Sequence, residues 1–419
     1  MPKRQTESNM SESNMKNRVV VTGMGIISCL GNDVNSVEQT LREGKPGYEI
    51  DPVRVEMGFR SPLTGVIKGF DPKAYLDRKR RKTMSLSTVW AYAAAQQAVD
   101  DSRLTPEQLH STETGVIFGH DSVSEPNVLM ADELRAAGNT KALGSGYIFQ
   151  VMNSTVTMNL STIFGTQGAC WSLAAACASG AHSVGQAADL IRNGHQERVI
   201  AGGAQEINWH VMASFDALNA FSVHLDEPLK ASRPFDKNRD GLVPSGGAAA
   251  VVLERMDLAV ARGAKIYGEV VSYAFSSDGA ELSIPNGTGA EVAIRKVLAR
   301  AGMSPDEIQY INAHATSTPG GDKKEAEAIY NVFGGRPFVS STKSMTGHEC
   351  WMAGASEVIY SLLMMNGGFI APNINYEEGD EITSRLNIVN KTMNCQLDTV
   401  LSNSFGFGGT NAALILKKI

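Results

Sequence analysis

The sequence predicts an α/β fold arranged in layers and built from two related halves. Three observations lead there. Short apolar segments bounded by glycine alternate with helical patterns along the chain. Two segments look like copies of one another: Gly246-Gly247 leads into AAAVVLER and Gly408-Gly409 into TNAALILKK, each a glycine pair followed by a small-residue strand with a charged end. The 419 residues are enough for roughly two to three domain-sized units.

The elements follow in chain order. Residues 1–15 (MPKRQTESNMSESNM) are polar, repeat Glu-Ser-Asn-Met, and lack the apolar core of a secretory signal, so a disordered tail is expected, with Met15 a candidate start. Arg18–Thr22 reads as a buried strand and the alanine-rich Ser87–Val99 as a buried helix. In Gly180–Asn193 the apolar Ala181, Val184, Ala187 and Ile191 recur at helical spacing, and Val199–Gly203 reads as the next strand. The second half repeats the grammar. Ile308–Ala313 and Pro337–Ser341 read as strands around a helix at Lys323–Phe333, Met352–Met365 as a long apolar helix, and Thr399–Ser402 as a strand. The halves are expected at 16–265 and 266–419, with the first half's extra length held in insertions.

Composition narrows the function. A 42% hydrophobic, 20% charged chain is ordinary for a soluble globular protein, and the net charge of −6 argues against a general nucleic-acid binder. The longest apolar run, Trp351–Met365, is shorter than the roughly 18 residues of a membrane span and carries Glu357 in its middle, so a buried core helix is expected and no membrane association. With no export signal, Cys29, Cys170, Cys177, Cys350 and Cys395 are expected as reduced thiols in the cytoplasm, and the lack of a CxxC pair argues against structural zinc. Gly23-Met-Gly-Ile-Ile-Ser28 lacks the third glycine and the following acidic residue of a dinucleotide fingerprint. Asp236–Gly241 begins like a calcium loop, but its twelfth position is Gly247 where a glutamate is required.

The chemistry centres on four loops. Ser172–Gly180 runs from apolar residues into small ones and then into a helix, permitting a tight turn that pushes Cys177 into the open. The helix N-terminus would favour its thiolate. The alternative is a buried structural cysteine, since free Cys is among the most buried residue types. His314 opens the loop His314–Pro319 after one strand, and Lys343 and His348 follow another in SSTKSMTGH. Loops beyond strand ends are where α/β proteins hold ligands. The glycine-rich loop Asn403–Thr410 could bring backbone N–H groups close to a substrate. His182, five residues past Cys177 and off its helical face, reads as structural. Arg78-Lys79-Arg80-Arg81-Lys82 puts five cations in a row, either a solvated helix start or a docking patch.

Taken in order, VVVTGMGIIS, AACASGAH, RPFDKNRDG, NAHATSTPGGD, SSTKSMTGH, FIAPNIN and SNSFGFGGTN resemble the β-ketoacyl-[acyl-carrier-protein] synthases of the thiolase-like superfamily, synthase I more than synthase II. The resemblance covers nearly the whole chain from about residue 16. It implies a thiolase-like fold, with the two halves forming an α-β-α-β-α stack. It implies decarboxylative condensation of an acyl group, carried on Cys177, with malonyl-carrier protein. His314 and His348 would stabilise the developing enolate, with Lys343 supporting and Glu357 orienting that lysine. The backbone N–H groups of Cys177 and Phe407 would form an oxyanion hole, Phe405 and Phe407 would flank the malonyl gate, and Thr316 and Thr318 would bind the pantetheine arm. Arg78, Lys79 and Lys82 match the family's basic positions for acyl carrier protein, the expected partner. No resident cofactor is implied, since 4′-phosphopantetheine arrives on the carrier, and a homodimer is expected.

The pattern is departed from at Ala315, where the family has glycine, and at Trp351 and Met352, where it has small residues; these leave substrate size and chain length open. Rival readings are a ketosynthase of a dedicated polyketide or polyene pathway, paired with a non-catalytic chain-length subunit, such a subunit itself, and a degradative thiolase. A chain-length subunit needs none of the four catalytic residues, and a thiolase needs a second cysteine that Cys395 does not supply.

Overall fold

Eleven strands form one sheet in a computed structural model that describes Met15 and residues 17–419. The expected tail lies outside the described residues, apart from Met15. In the first half the strands are β1 (Val19–Ile27), β2 (Thr114–Gly119), β3 (Cys170–Leu173), β4 (Arg198–Gln205) and β5 (Gly247–Arg255). In the second they are β6 (Gly268–Ser277), β7 (Tyr310–Asn312), β8 (Phe338–Ser340), β9 (Asn387–Ile388), β10 (Thr399–Gly406) and β11 (Thr410–Lys417).

Across the sheet the order is β9-β8-β7-β10-β11-β6-β1-β5-β4-β2-β3. With the edge strand β9 set aside, each half reads outward from the middle as its first, fifth, fourth, second and third strand. The senses agree as well: the first–fifth and fifth–fourth pairs are antiparallel, the fourth–second and second–third pairs parallel. The halves join where β1 meets β6 through Val20↔Glu269 and Val21↔Gly268. The two glycine-pair segments are therefore equivalent strands, β5 and β11.

Six helices complete the layers: α1 (Leu86–Ser102), α2 (Thr155–Phe164), α3 (Ser179–Arg192), α4 (Thr288–Ala301), α5 (Pro319–Phe333) and α6 (Ala353–Gly367). α1 packs on β1, β5 and β4, and α2 on β2 and β3. α4 packs on β6 and β11, with α5 alongside it. α3 and α6 pack on each other and touch strands of both halves, α3 reaching β2, β4 and β6, and α6 reaching β5 and β10. They form the middle layer of an α-β-α-β-α stack.

Local sequence explains the close fits. α6 is buried at every position from Ala353 to Met365, as a helix between two sheet halves must be, and its apolar surround suits that place. Each fully buried Leu, Ile or Met side chain there contributes about 1.5–3 kcal/mol. Gly23 and Gly25 let α1 lie directly on β1: an added Cβ would come 2.0 Å from the carbonyl oxygens of Ala98 and Ala94 respectively. α3 and α6 touch main chain to main chain, since a Cβ on Gly354 would come 2.4 Å from the Ala181 nitrogen and one on Gly180 2.9 Å from the Ala355 nitrogen.

Candidate active site

Cys177 sits in the short turn Ala176–Ala178 between β3 and α3. The preceding Ala176 is held at φ 46°, a left-handed conformation that costs a residue with a Cβ about 1–3 kcal/mol. Two hydrogen bonds hold it there: the Ala176 N–H donates to Asp121 Oδ2 at 2.8 Å, and the Ala175 N–H to Ser179 Oγ at 2.8 Å. The turn does not push Cys177 into the open, as the sequence led one to expect. The residue is 5% exposed, and burial pushes its thiol up to about 12 against the lowering pull of the Phe407 N–H and the Lys343 charge. Desolvation outweighs the helix N-terminus, so the resting group is a thiol and not a thiolate.

His314 lies two residues beyond β7. Glu325, on the first turns of α5, anchors that loop by accepting the His314 N–H at 2.9 Å, the Ala315 N–H at 2.6 Å and the Asn403 side-chain N–H at 3.1 Å. Ala315, the departure noted in the sequence, is buried, and its carbonyl accepts the Ser341 hydroxyl at 2.7 Å. Thr316 and Thr318 both line the cavity, with their hydroxyl oxygens 3.1 Å apart.

Lys343 and His348 follow β8, just as Cys177 follows β3. The Lys343 ammonium pairs with the Glu357 carboxylate of α6, and both groups are buried. Burial pushes the Glu357 carboxyl up to about 7, with Lys343 opposing. The His348 backbone is fixed on both sides, donating to the Val243 carbonyl at 2.7 Å and accepting the Ser245 N–H at 2.8 Å.

The two imidazoles meet edge to face, their centroids 5.3 Å apart at 88°. His314 Nδ1 and both ring nitrogens of His348 have no hydrogen-bond partner. Both rings are held well below 6.5, first by burial and then by the charge on Lys343, so both are neutral. A neutral imidazole offers one donor and one acceptor nitrogen. His182 differs: its two ring nitrogens face the hydroxyls of Tyr273 and Thr410, a structural arrangement.

The loop Asn403–Thr410 closes over the cysteine. A Cβ on Gly406 would come 3.0 Å from the Ala175 oxygen and 3.1 Å from the Cys177 nitrogen, so the main chain passes close to the nucleophile. The Phe407 ring is partly exposed and stacks on Phe215 at 5.9 Å, while the Phe405 ring lies 5.9 Å from that of His314. A cavity of about 370 Å³ is lined by Cys177, His314, His348, Phe405 and Phe407 together with both threonines. Lys343 and Glu357 lie outside the lining.

The basic run is elsewhere. Arg78–Arg81 forms a single helical turn capped by Asp77; Arg78, Lys79, Arg80 and Lys82 are exposed, and none of the five cations lines the cavity. Sequence reasoning missed the two carboxylates that hold the loops, Asp121 and Glu325. A lone acid beside a strand end, or on the first turns of a helix, carries no mark that separates it from a solvated one.

One buried thiol, two neutral imidazoles free to donate, and backbone N–H groups around a single cavity suit covalent acyl transfer with stabilised oxyanions. Comparison with known proteins agrees. Residues 16–259 match the family model of the β-ketoacyl synthase N-terminal domain, and residues 267–377 that of its C-terminal domain. The chain is 46% identical to 3-oxoacyl-[acyl-carrier-protein] synthase 1 of Haemophilus influenzae over 96% of this chain and 99% of that protein. It is 43% identical to the Escherichia coli enzyme of the same name, with the same coverage. Among solved structures, a β-ketoacyl synthase from Burkholderia phymatum superposes with a TM-score of 0.91 at 33% identity, over 96% of this chain and 99% of that one.

Proposed function

The chain belongs to the β-ketoacyl synthase family, and from that premise we propose that it is a 3-oxoacyl-[acyl-carrier-protein] synthase of type II fatty acid elongation. It condenses acyl-carrier protein with malonyl-carrier protein to give 3-oxoacyl-carrier protein, carbon dioxide and free carrier. The observation that carries the reading is the shared cavity of Cys177, His314 and His348, with three ring nitrogens left unpartnered.

Each group has a task. The Cys177 thiol attacks the acyl thioester and gives its proton to the acceptor nitrogen of a neighbouring imidazole. The carrier's thiol leaves with a proton, and the acyl group stays on sulfur. Malonyl-carrier then enters along Thr316 and Thr318, and its C–C bond to the carboxylate breaks. The bonding pair moves onto the thioester as an enolate, whose oxygen accepts N–H donation from His314 and His348. That carbon attacks the acyl-Cys177 carbonyl, the new oxyanion rests on the N–H groups of Cys177 and Phe407, and collapse expels the cysteine sulfur as a thiolate, which takes up one proton from water to return to the resting thiol. Burial keeps both rings neutral, and the charge of Lys343, held by Glu357, adds to that effect.

The reading needs no resident cofactor, because the pantetheine arm arrives on the substrate. Arg78, Lys79 and Lys82 are proposed to dock the carrier. A homodimer is proposed through the sheet's end strand β3, which exposes Trp171; an uncovered strand edge with an exposed aromatic favours pairing with a second copy. No helix among the described residues is long and apolar enough to cross a membrane, which is compatible with a cytoplasmic place.

Incubation with acyl- and malonyl-carrier protein tests the reading: carbon dioxide is released and the product mass shows an acyl group extended by two carbons. Cys177→Ser loses the thioester mass adduct. An undiminished adduct in that variant places the nucleophile elsewhere.

A further inference from the structure

Cys177 borders two environments. One is the cavity. The other is an apolar cluster that it shares with Val211, Met212, Phe221, Leu242, Cys350 and Trp351, with Phe215 packed against it. Phe215 and Leu242 also line the cavity, but Val211, Met212, Cys350 and Trp351 do not. The open space therefore ends at Cys177, and beyond it the volume is filled with side chains. The largest of these is Trp351, only 6% exposed.

Trp351 is held at three points, two of them on its indole. The indole N–H donates to Ser122 Oγ at 3.3 Å, next to the Asp121 that anchors Ala176. Its ring lies 6.2 Å from Phe215, the same ring on which Phe407 stacks. Its main chain is wedged against α3 and β4: a Cβ on either Gly180 or Gly203 would come 2.9 Å from the Trp351 carbonyl oxygen. Met352, its neighbour, is different, because it is fully buried in the main core between the sheet halves.

We propose that Trp351 sets the acyl chain length: its indole occupies the apolar space behind Cys177 that a longer acyl group would need, restricting the enzyme to short-chain acyl groups. The proposal rests on the condensing-enzyme reading above. An acyl group on the sulfur has two ways to extend. The cavity is taken by the pantetheine arm during transfer, and the apolar cluster is close-packed. A methylene that would favour binding in an open slot must here displace packed atoms.

The test is single-turnover acylation of Cys177, read as the thioester mass adduct, with butanoyl-, octanoyl- and dodecanoyl-carrier protein. Wild type is expected to be acylated by the butanoyl carrier at least about tenfold faster than by the dodecanoyl carrier, the scale on which apolar pockets discriminate methylenes. Trp351→Ala should close or reverse that gap while keeping butanoyl transfer, and Trp351→Phe should fall between. Wild type acylated as fast by the dodecanoyl as by the butanoyl carrier overturns the proposal without any variant. So does a folded Trp351→Ala with an unchanged profile. If folded wild type forms no adduct with any of the three, the condensing-enzyme reading itself fails, and this proposal with it.

Discussion

Each half of the molecule carries a histidine just past the end of the same strand. His120 follows β2, and His314 follows its counterpart β7. Both are buried, yet their surroundings differ. His120 has Nδ1 2.9 Å from the Asn153 carbonyl and Nε2 3.4 Å from Ser87 Oγ, while His314 leaves Nδ1 without a partner and faces the cavity. The next strand end repeats the contrast, with Cys177 after β3 and Lys343 and His348 after β8. A repeated frame brings the same positions to the same place twice. What chemistry results depends on which polar atoms the loops leave unsatisfied.

The sharpest way to break this comparison is to delete each histidine. His314→Ala should lower condensation by about 10²–10³, the cost of one lost oxyanion donor, while the acyl adduct on Cys177 still forms. His120→Ala should leave turnover near wild type and appear instead in the melting temperature, because stranding its buried partners costs about 1–3 kcal/mol. Crippled turnover with unchanged stability in His120→Ala would erase the distinction.

A smaller effect separates the thiol from the rings. Since burial pushes Cys177 up to about 12, its thiolate fraction should climb about tenfold per pH unit. Alkylation of Cys177 by iodoacetamide should follow that slope from about pH 6 to about pH 9, and a plateau near neutrality would show a thiolate already present. The depressed imidazoles have the opposite sign: lowering the pH charges them only well below 6.5, so the acid limb of decarboxylation should lie below that value. The smallest effect concerns the first half's basic turn. Arg78→Glu with Lys79→Glu should raise the KM for carrier protein severalfold, and the rise should fade as the Debye length falls from about 10 Å at 0.1 M salt to about 3 Å at 1 M. A salt-independent rise would remove steering as its cause.

Much of this was legible in the sequence because small residues and glycines mark the places where main chain comes close. Cys177, His314, Lys343 and His348 each sit in such a loop, and the core helices could be read from their spacing. The protonation of Cys177 could not. The helix N-terminus is a local feature, whereas the desolvation that overrides it comes from Phe215, Leu242, Trp351 and others remote in the chain. Asp121 and Glu325 were hidden for the same reason, since their value lies in N–H groups that only the folded chain delivers. Trp351 and Met352 looked alike as bulky departures. Only the packing assigns one to the core and the other to the edge of the site.

Gly180 and Gly354 carry a last consequence. Cys177 and His348 each stand a few residues ahead of one of these glycines, at the heads of helices pressed together bare backbone to bare backbone. The gap between sulfur and imidazole is thus gauged by a joint with no rotamers to change. Substitutions can reshape the surrounding core without resetting that gauge, whereas a single methyl group at the joint would force the reacting atoms apart.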